Sequence, residues 1–414
     1  MGFEYGCIGE VLKHSFSREI HGKLGDYKYE LLELTRDELK SFMEKREFKA
    51  INVTLPYKEA VIPYLDEIDG RAREIGAVNT VINRGGRLFG YNTDFFGMEA
   101  LTQKNNISLL EKKVAILGTG GTSKTALAVA EAGGAAEVFK VSRSGRDGAI
   151  TYEELYERHS DTDVIINTTP AGMFPNVFDC PVDLNRFPSL YAVIDAVYNP
   201  LRTPLILGAL EHGAIAEGGL YMLVAQAFRA AELFLGEKIE RTRLDEIFTQ
   251  MVKKKESIVL IGMPASGKST IGRIIAKSLS RPFIDTDTLT AEREGKSIPE
   301  IFEQCGEDYF RDAESAAVKI AAAECGAVIA TGGGAILREE NVKALRENGR
   351  IYFIDRPKEK LVPTLDRPLS STKEAIEKRF AERYPIYCNT ADVIIDASGT
   401  AEKCAQMITE DFLK

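Results

Sequence analysis

Two glycine-rich stretches carry the first chemical signal in this chain. The run GMPASGKST, Gly262 to Thr270, follows the apolar SIVLI and precedes a helix-like pattern. Its GxxxxGK[ST] spacing wraps backbone N–H groups and a helix N-terminus around phosphate oxygens. Gly262, Ala265, Ser266, Gly267 and Thr270 belong to that cradle, Lys268 reaches the β- and γ-phosphates, and Ser269 holds Mg²⁺. No NKxD run for reading guanine occurs, so ATP is the expected donor. The second stretch, LGTGGTS, places Gly118, Gly120, Gly121 and Thr122 between a strand and a helix pattern, with Ser123 where GxGxxG has its last glycine. Such a turn suits the pyrophosphate of a dinucleotide.

The end of the following strand reads Ser142-Arg143-Ser144, with Arg146 close behind. An NAD site favours a carboxylate there, whereas an arginine pairs with a 2′-phosphate, so NADP is expected. Hydride chemistry at an alcohol or ketone also needs a proton relay. Lys58 in NVTLPYK and Asp94 in YNTD are candidates for it. In the second half, Asp285 and Asp287 are spaced i,i+2 and share a face if strand geometry persists. One can hold Mg²⁺-bound water and the other orient an acceptor hydroxyl. Arg311, in an acidic helix-like stretch, either grips a carboxylate with two parallel hydrogen bonds or sits among its acidic neighbours. Gly332, Gly333 and Gly334 follow a strand and permit close backbone approach to a ligand.

These residues need a scaffold. A length of 414 residues suggests two to three domains. Strands are expected near 5–9, 30–33 and 50–54, then a helix at 58–64 and a hairpin over 80–91 around Gly85-Gly86. From Lys113 onward, strands at 113–117, 137–144, 162–170 and 191–198 alternate with helical segments, the signature of a parallel sheet. A second cycle begins at Ser257, with strands at 257–262, 282–287, 327–332, 350–355 and 391–396. The expected class is α/β: an N-terminal α/β substrate domain, a Rossmann-like NADP domain, and a P-loop kinase domain with a parallel sheet. The net charge of −9 argues against a general nucleic-acid or membrane-surface binder. Six Cys without a CxxC, and only four His, suggest reduced thiols in a cytoplasmic protein. No signal-peptide pattern opens the sequence, and no apolar run approaches about 18 residues. Small-molecule substrates, with no nucleic acid and no membrane, are therefore expected.

Residues 257–414 resemble shikimate kinase through GMPASGKSTIGR, FIDTD, EDYFRDAE, VIATGGGA, DRPL and AERYPIY, in that order. The resemblance implies that Lys268 and Ser269 serve ATP–Mg²⁺, with Asp285 near the metal and Asp287 at the acceptor hydroxyls. It implies that Arg311 and Arg383 hold the carboxylate of shikimate, that Gly332 to Gly334 line its site, and that Arg367 closes over the transferring phosphoryl. The lid LVPTLDRPLSS is short, with no Arg before Arg367.

Residues 3–245 resemble shikimate dehydrogenase through HSFS, INVTLPYK, IGAVNT, GYNTD, GTGGTS, INTTPAGM, DAVYNP and GGLYMLVAQA. That resemblance implies Lys58 and Asp94 as the catalytic pair, and Ser15 and Ser17 at the substrate carboxylate. Asn79 and Gln226 would meet ring hydroxyls, with Asn52, Thr54 and Tyr198 nearby. Asn167, Thr168 and Met222 would border the nicotinamide, and Gly219 matches the glycine before the final helix. Arg18 replaces the proline of HSxSP, and Ser142-Arg143 stands for the family's Asn-Arg.

The expected domains are 1–98 with 219–250 for substrate, 99–218 for NADP, a linker at 251–256, and 257–414 for the kinase. Together they imply NADPH-dependent reduction of 3-dehydroshikimate and ATP-dependent phosphorylation of the 3-hydroxyl of shikimate. Rivals are quinate as the first substrate, gluconate or another small hydroxyl compound as the second, or one half acting as a ligand sensor. Turnover of each compound separates them.

Overall fold

The computed structural model describes residues 3–12, 16–146, 148–361 and 373–414. They form two compact units: Met1–Asn199 with Thr203–Gln250, and Pro200–Arg202 with Met251–Lys414.

The first unit opens with strands β1 (Tyr5–Gly9), β2 (Tyr29–Glu33), β3 (Ala50–Val53), β4 (Glu67–Ile68), β5 (Thr80–Arg84) and β6 (Arg87–Tyr91). They make one sheet in the order β2-β1-β3-β5-β6-β4. β1 runs parallel to β2 and β3, whereas β3, β5 and β6 are antiparallel neighbours. The β5–β6 hairpin turns on Gly85 and Gly86, at φ 60° and 88°. Two consecutive positive φ values are what a two-residue hairpin loop demands, and glycine meets them without strain. Ile8, Met43, Ile51, Val81 and Leu88 are buried against this sheet.

The same unit then forms an all-parallel sheet from β7 (Lys113–Leu117), β8 (Glu137–Val141), β9 (Val164–Asn167), β10 (Ala192–Asp195) and β11 (Ile215–Glu217), ordered β11-β10-β9-β7-β8. VIIN and AVID are buried throughout, as strands covered on both faces require. Strand order reverses between β7 and β9, so their carboxyl ends frame the crevice where open α/β sheets take ligands. Helices Thr93–Lys104 and Leu220–Leu235 pack tightly because Gly97 has no side chain. A Cβ there would sit 2.6 Å from the carbonyl oxygen of Met222.

The second unit contains β12 (Ser257–Ile261), β13 (Phe283–Asp285), β14 (Val328–Ala330), β15 (Gly349–Asp355) and β16 (Val393–Asp396), all parallel and ordered β13-β14-β12-β15-β16. Alternate residues of β12 feed two cores. Val259 and Ile261 join Ile329, Phe353 and Tyr387, while Ile258 and Leu260 join Ile275, Tyr352 and Ile408.

Three local expectations change. Residues 58–64 are not an α-helix but turns ending in a 3₁₀ turn, Ile62–Tyr64. Pro63 supplies no N–H to continue a helix. The basic run expected as a linker is helical through Lys255, within helix Arg241–Lys255. The strand expected at 282–287 stops at Asp285, which caps helix Thr286–Glu294 by accepting from the N–H groups of Asp287 and Thr288. Asp287 therefore sits in a helical first turn, and the shared strand face of the two carboxylates does not exist. Among the described residues no helix is long and apolar enough to cross a membrane.

Candidate active sites

A cavity of about 310 Å³ opens in the first unit. Of the residues expected from sequence, Ser17, Asn52, Thr54, Lys58, Asn79, Asp94, Thr122, Tyr198, Gly219, Met222 and Gln226 all line it. Ser15 lies outside the described residues.

Lys58 follows β3 in a turn closed by the Tyr57 N–H on the Thr54 carbonyl, 2.9 Å, and is anchored by the Val78 N–H on its own carbonyl, 2.8 Å. Asp94 sits in the first turn of helix Thr93–Lys104. Asn92 caps that helix by accepting from Phe95 N–H at 3.1 Å and donates to the Ala77 carbonyl at 2.9 Å. Lys58 Nζ stands 2.6 Å from Asp94 Oδ2, with the two side chains 16% and 11% exposed. The positive end of the helix favours the carboxylate. Limited exposure strengthens the pair's attraction while leaving it open to a bound ligand.

The floor beside this pair is polar and laced with hydrogen bonds. Thr93 N–H donates to Asn79 Oδ1 at 2.7 Å, and Asn52 Nδ2 donates to Thr80 Oγ1 at 3.1 Å. Gln226 Nε2 donates to the Leu223 carbonyl at 2.8 Å. Gly219 is obligatory where it stands, since a Cβ would lie 2.2 Å from the Ala196 carbonyl oxygen.

At the β7–β9 crevice, Gly118 takes φ 107°, and a Cβ there would meet Thr168 Oγ1 at 2.8 Å. Thr168 Oγ1 donates to the Leu117 carbonyl at 2.6 Å. Gly120 and Gly121 differ: a Cβ on either would meet nothing within 4 Å. Helix Gly121–Ala132 begins there without a side-chain cap. Its N–H groups can thus receive an anion, which fits a dinucleotide's pyrophosphate. Ser123, at the missing glycine, turns inward and donates to the Gly120 carbonyl at 2.6 Å. Arg143 is exposed just after β8, and Ser142 Oγ accepts from Gly145 N–H at 3.1 Å. Asn167 is held by Asp195, whose Oδ1 accepts from Asn167 Nδ2 at 2.9 Å. Sequence reasoning missed Asp195. Burial raises its carboxyl to about 6, against the lowering effect of Thr203, Val197 N–H and Asn167. An Asp closing an all-apolar strand is the signal that could have found it.

In the second unit, the loop after β12 holds Gly262, Ala265 and Gly267 at φ 149°, 62° and 95°. Lys268 Nζ donates to the carbonyls of Gly262 and Met263 at 2.8 and 2.9 Å. Ser266 is buried and Thr270 is exposed in the first helical turn. Ser269 Oγ donates to Asp285 Oδ2 at 2.6 Å, bringing the two expected metal-side residues together. A hydroxyl and a carboxylate are oxygen donors of the kind Mg²⁺ takes, so Ser269 and Asp285 would be the residues to hold it.

The residues expected on the acceptor side converge on Gly332 to Gly334. A Cβ on Gly332 would lie 2.4 Å from Asp287 Oδ1 and 2.5 Å from Glu314 Oε1. Arg311 donates to Glu314 at 2.7 Å and to Glu307 at 3.0 Å. Arg383 and Tyr387 both donate to the Gly333 carbonyl, at 2.9 and 2.6 Å. Burial pulls Arg311 down, but Glu314 and Glu307 outweigh it and its pKa is raised. Burial raises Glu314, opposed by Arg311 and reinforced by Asp287. Sequence reasoning missed Glu314 and Tyr387. Glu314 lies one helical turn past Arg311, a spacing that could have named it. Gly306 breaks helix Ile298–Ala323 at φ 85° just before these residues. Arg367 lies outside the described residues.

Comparison with known proteins finds similarity in both halves. The shikimate kinase family model matches residues 264–413, and that of the shikimate dehydrogenase substrate binding domain matches 7–81. The chain is 36% identical over 263 residues to shikimate dehydrogenase (NADP(+)) of Clostridium beijerinckii, covering 59% of this chain and 95% of that protein. It is 38% identical to the Halothermothrix orenii protein of the same name, covering 57% and 91%. Among solved structures, the shikimate dehydrogenase 1 of Peptoclostridium difficile is similar at TM-score 0.56 and 35% identity, covering 60% of this chain and 98% of that one. A chorismate mutase/shikimate 5-dehydrogenase fusion from Clostridium acetobutylicum gives TM-score 0.58 and 33% identity, covering 61% and 99%.

Proposed function

The chain belongs to the shikimate dehydrogenase family, and we propose that it joins that activity to a shikimate kinase activity in one polypeptide. The first unit reduces 3-dehydroshikimate to shikimate with NADPH, and the second phosphorylates the 3-hydroxyl of shikimate with ATP and Mg²⁺. One observation carries the first half: Lys58, Asp94 and the dinucleotide-loop residue Thr122 border the same cavity. A proton relay and a hydride donor must share one such space.

In this reading the nicotinamide supplies the hydride when bound. Lys58 gives a proton to the oxygen of the reduced carbonyl, and Asp94 keeps the ammonium in place. Asn79 and Gln226 meet ring hydroxyls, and Ser15 and Ser17 meet the carboxylate. Gly118, Gly120 and Gly121 approach the pyrophosphate, and Arg143 pairs with the 2′-phosphate.

In the second unit, Lys268 exchanges its carbonyl partners for phosphate oxygens, and Ser269 and Asp285 stand on the metal side. Asp287 accepts the proton of the attacking hydroxyl. Arg383 and Arg311 bind the carboxylate. Glu307, 51% exposed, is the partner that a ligand carboxylate displaces from Arg311; Glu314, 2% exposed, stays. Arg367 acts from the lid.

A single-pot assay tests both halves. With 3-dehydroshikimate, NADPH, ATP and Mg²⁺, shikimate 3-phosphate accumulates. Lys58→Ala stops NADPH oxidation but still phosphorylates added shikimate. Lys268→Ala stops at shikimate. Oxidation of quinate in preference to shikimate would overturn the first assignment.

A further inference from the structure

Behind the cavity wall of the first unit lies a tyrosine that the mechanism above does not use. Tyr29 begins β2 and is buried. Its hydroxyl donates to Asn52 Oδ1 at 2.8 Å. Asn52 Nδ2 in turn donates to the Asn79 carbonyl at 3.3 Å and to Thr80 Oγ1 at 3.1 Å. A side-chain amide has two hydrogens to give. Those of Asn52 are both committed inside the protein, although Asn52 lines the cavity.

Asn79 differs. Its Nδ2 gives one hydrogen to Thr93 Oγ1 at 3.1 Å, leaving the second for the cavity it borders. Its Oδ1 accepts from Thr93 N–H at 2.7 Å and from Thr80 Oγ1 at 3.1 Å. Hydrogen bonds therefore run from Tyr29 through Asn52, Thr80 and Asn79 to Thr93, the residue before Asp94. The Tyr29 ring is itself held. His21 stacks on it with centroids 4.0 Å apart and planes 10° apart, and His21 Nδ1 lies 2.6 Å from Tyr27 Oη.

We propose that Tyr29 is a positioning residue for the oxidoreductase half: its hydroxyl fixes the amide of Asn52 and, through Thr80, aims the remaining Asn79 N–H at a ring hydroxyl of the substrate. The inference rests on the dehydrogenase reading, which turnover by the wild-type chain tests separately. An amide's two ends are nearly the same size, so orientation must come from partners. Removing the tyrosine hydroxyl takes from Asn52 Oδ1 the donor that stands 2.8 Å away. Rotating the amide would not repair this, because Oδ1 would then face the Asn79 carbonyl oxygen. The floor loosens instead.

Tyr29→Phe keeps the ring and its stack while deleting only the hydroxyl. Loss of one net hydrogen bond corresponds to a change of about tenfold. We expect KM for 3-dehydroshikimate to rise by about that factor, with kcat and the KM for NADPH changing less than about threefold. Thr80→Val, which cuts the same path on the other side of Asn52, produces the same pattern. The decisive measurement is a double-mutant cycle with Asn79→Ala. In that background Tyr29→Phe changes kcat/KM by less than about twofold, because residues acting through one network are not additive. Phosphoryl transfer to added shikimate by the same preparations stays at the wild-type rate and reports an intact chain. Multiplicative effects in the cycle, or an unchanged KM in Tyr29→Phe when the wild-type chain turns over, would overturn the proposal.

Discussion

Arg311 Nη1 occupies space that any side chain at position 334 would need: a Cβ on Gly334 would stand 2.0 Å from it and 2.7 Å from its Cζ. The glycine is thus a condition for the guanidinium's place between Glu314 and Glu307. Gly334→Ala should push Arg311 aside. A charge-assisted bidentate contact is worth roughly 1.5–3 kcal/mol, so KM for shikimate in phosphoryl transfer should rise about ten- to a hundredfold. KM for ATP should change less than about twofold, because the nucleotide grip lies on a different loop. Coupled-assay kinetics with each substrate varied separates the two effects. An equal rise in both constants would count against this placement of the acceptor.

Arg143 offers a test of cofactor choice. It is exposed at the end of β8, where a 2′-phosphate is read. Arg143→Ala should lower the preference for NADPH over NADH, as a ratio of kcat/KM values, by about tenfold or more. NADH turnover itself should hold steady or improve. Parallel initial-rate series with both cofactors measure this.

His21 should make the first unit sensitive to acid. It is fully buried, and burial lowers its pKa from 6.5 to about 3 despite an opposing contribution from Asn52. The unfolded chain takes up a proton below about 6.5, whereas the folded chain resists until about 3. Its contribution to stability is therefore present above pH 6.5 and lost as pH falls toward 3. Between pH 6.5 and 5 that amounts to about 2 kcal/mol. Urea titrations of wild type and His21→Phe across this range should show a shallower decline for the variant. The variant keeps the stack on Tyr29 but has nothing to protonate. Equal slopes would remove His21 from the account.

Some of this architecture could be read directly from residue order. Gly85-Gly86 announced its hairpin, because two positive φ values in succession need glycine. GKST and GTGGTS announced strand-to-helix turns, and Gly267 and Gly118 take the positive φ values there, 95° and 107°. The local rules failed where a single capping bond decided the outcome. FIDTD reads as a strand, yet Asp285 ends it by capping the next helix, and Asp287 leaves the strand's face. Spatial pairing was beyond reach for another reason. Lys58 and Asp94 are 36 residues apart, and their meeting depends on the β3–β5–β6 arrangement between them. Glu314 and Tyr29 act from behind their sites, so their types looked like ordinary surface charge and ordinary core. The i,i+3 spacing from Arg311 was a signal for Glu314, whereas nothing local marked Tyr29, whose bond to Asn52 spans 23 residues.

The ammonium of Lys268, bonded to the carbonyls of Gly262 and Met263, has a consequence for how the loop waits between turnovers. Those two carbonyls share one cation, and the Ser266 N–H turns back onto the Met263 carbonyl at 3.1 Å, so the loop carries its own internal partners. Under the proposed kinase reading, the lysine would serve as an internal partner for these carbonyls until a triphosphate draws it away. Replacing it would do more than delete a charge from the phosphates: the empty loop would lose the prop that holds it ready.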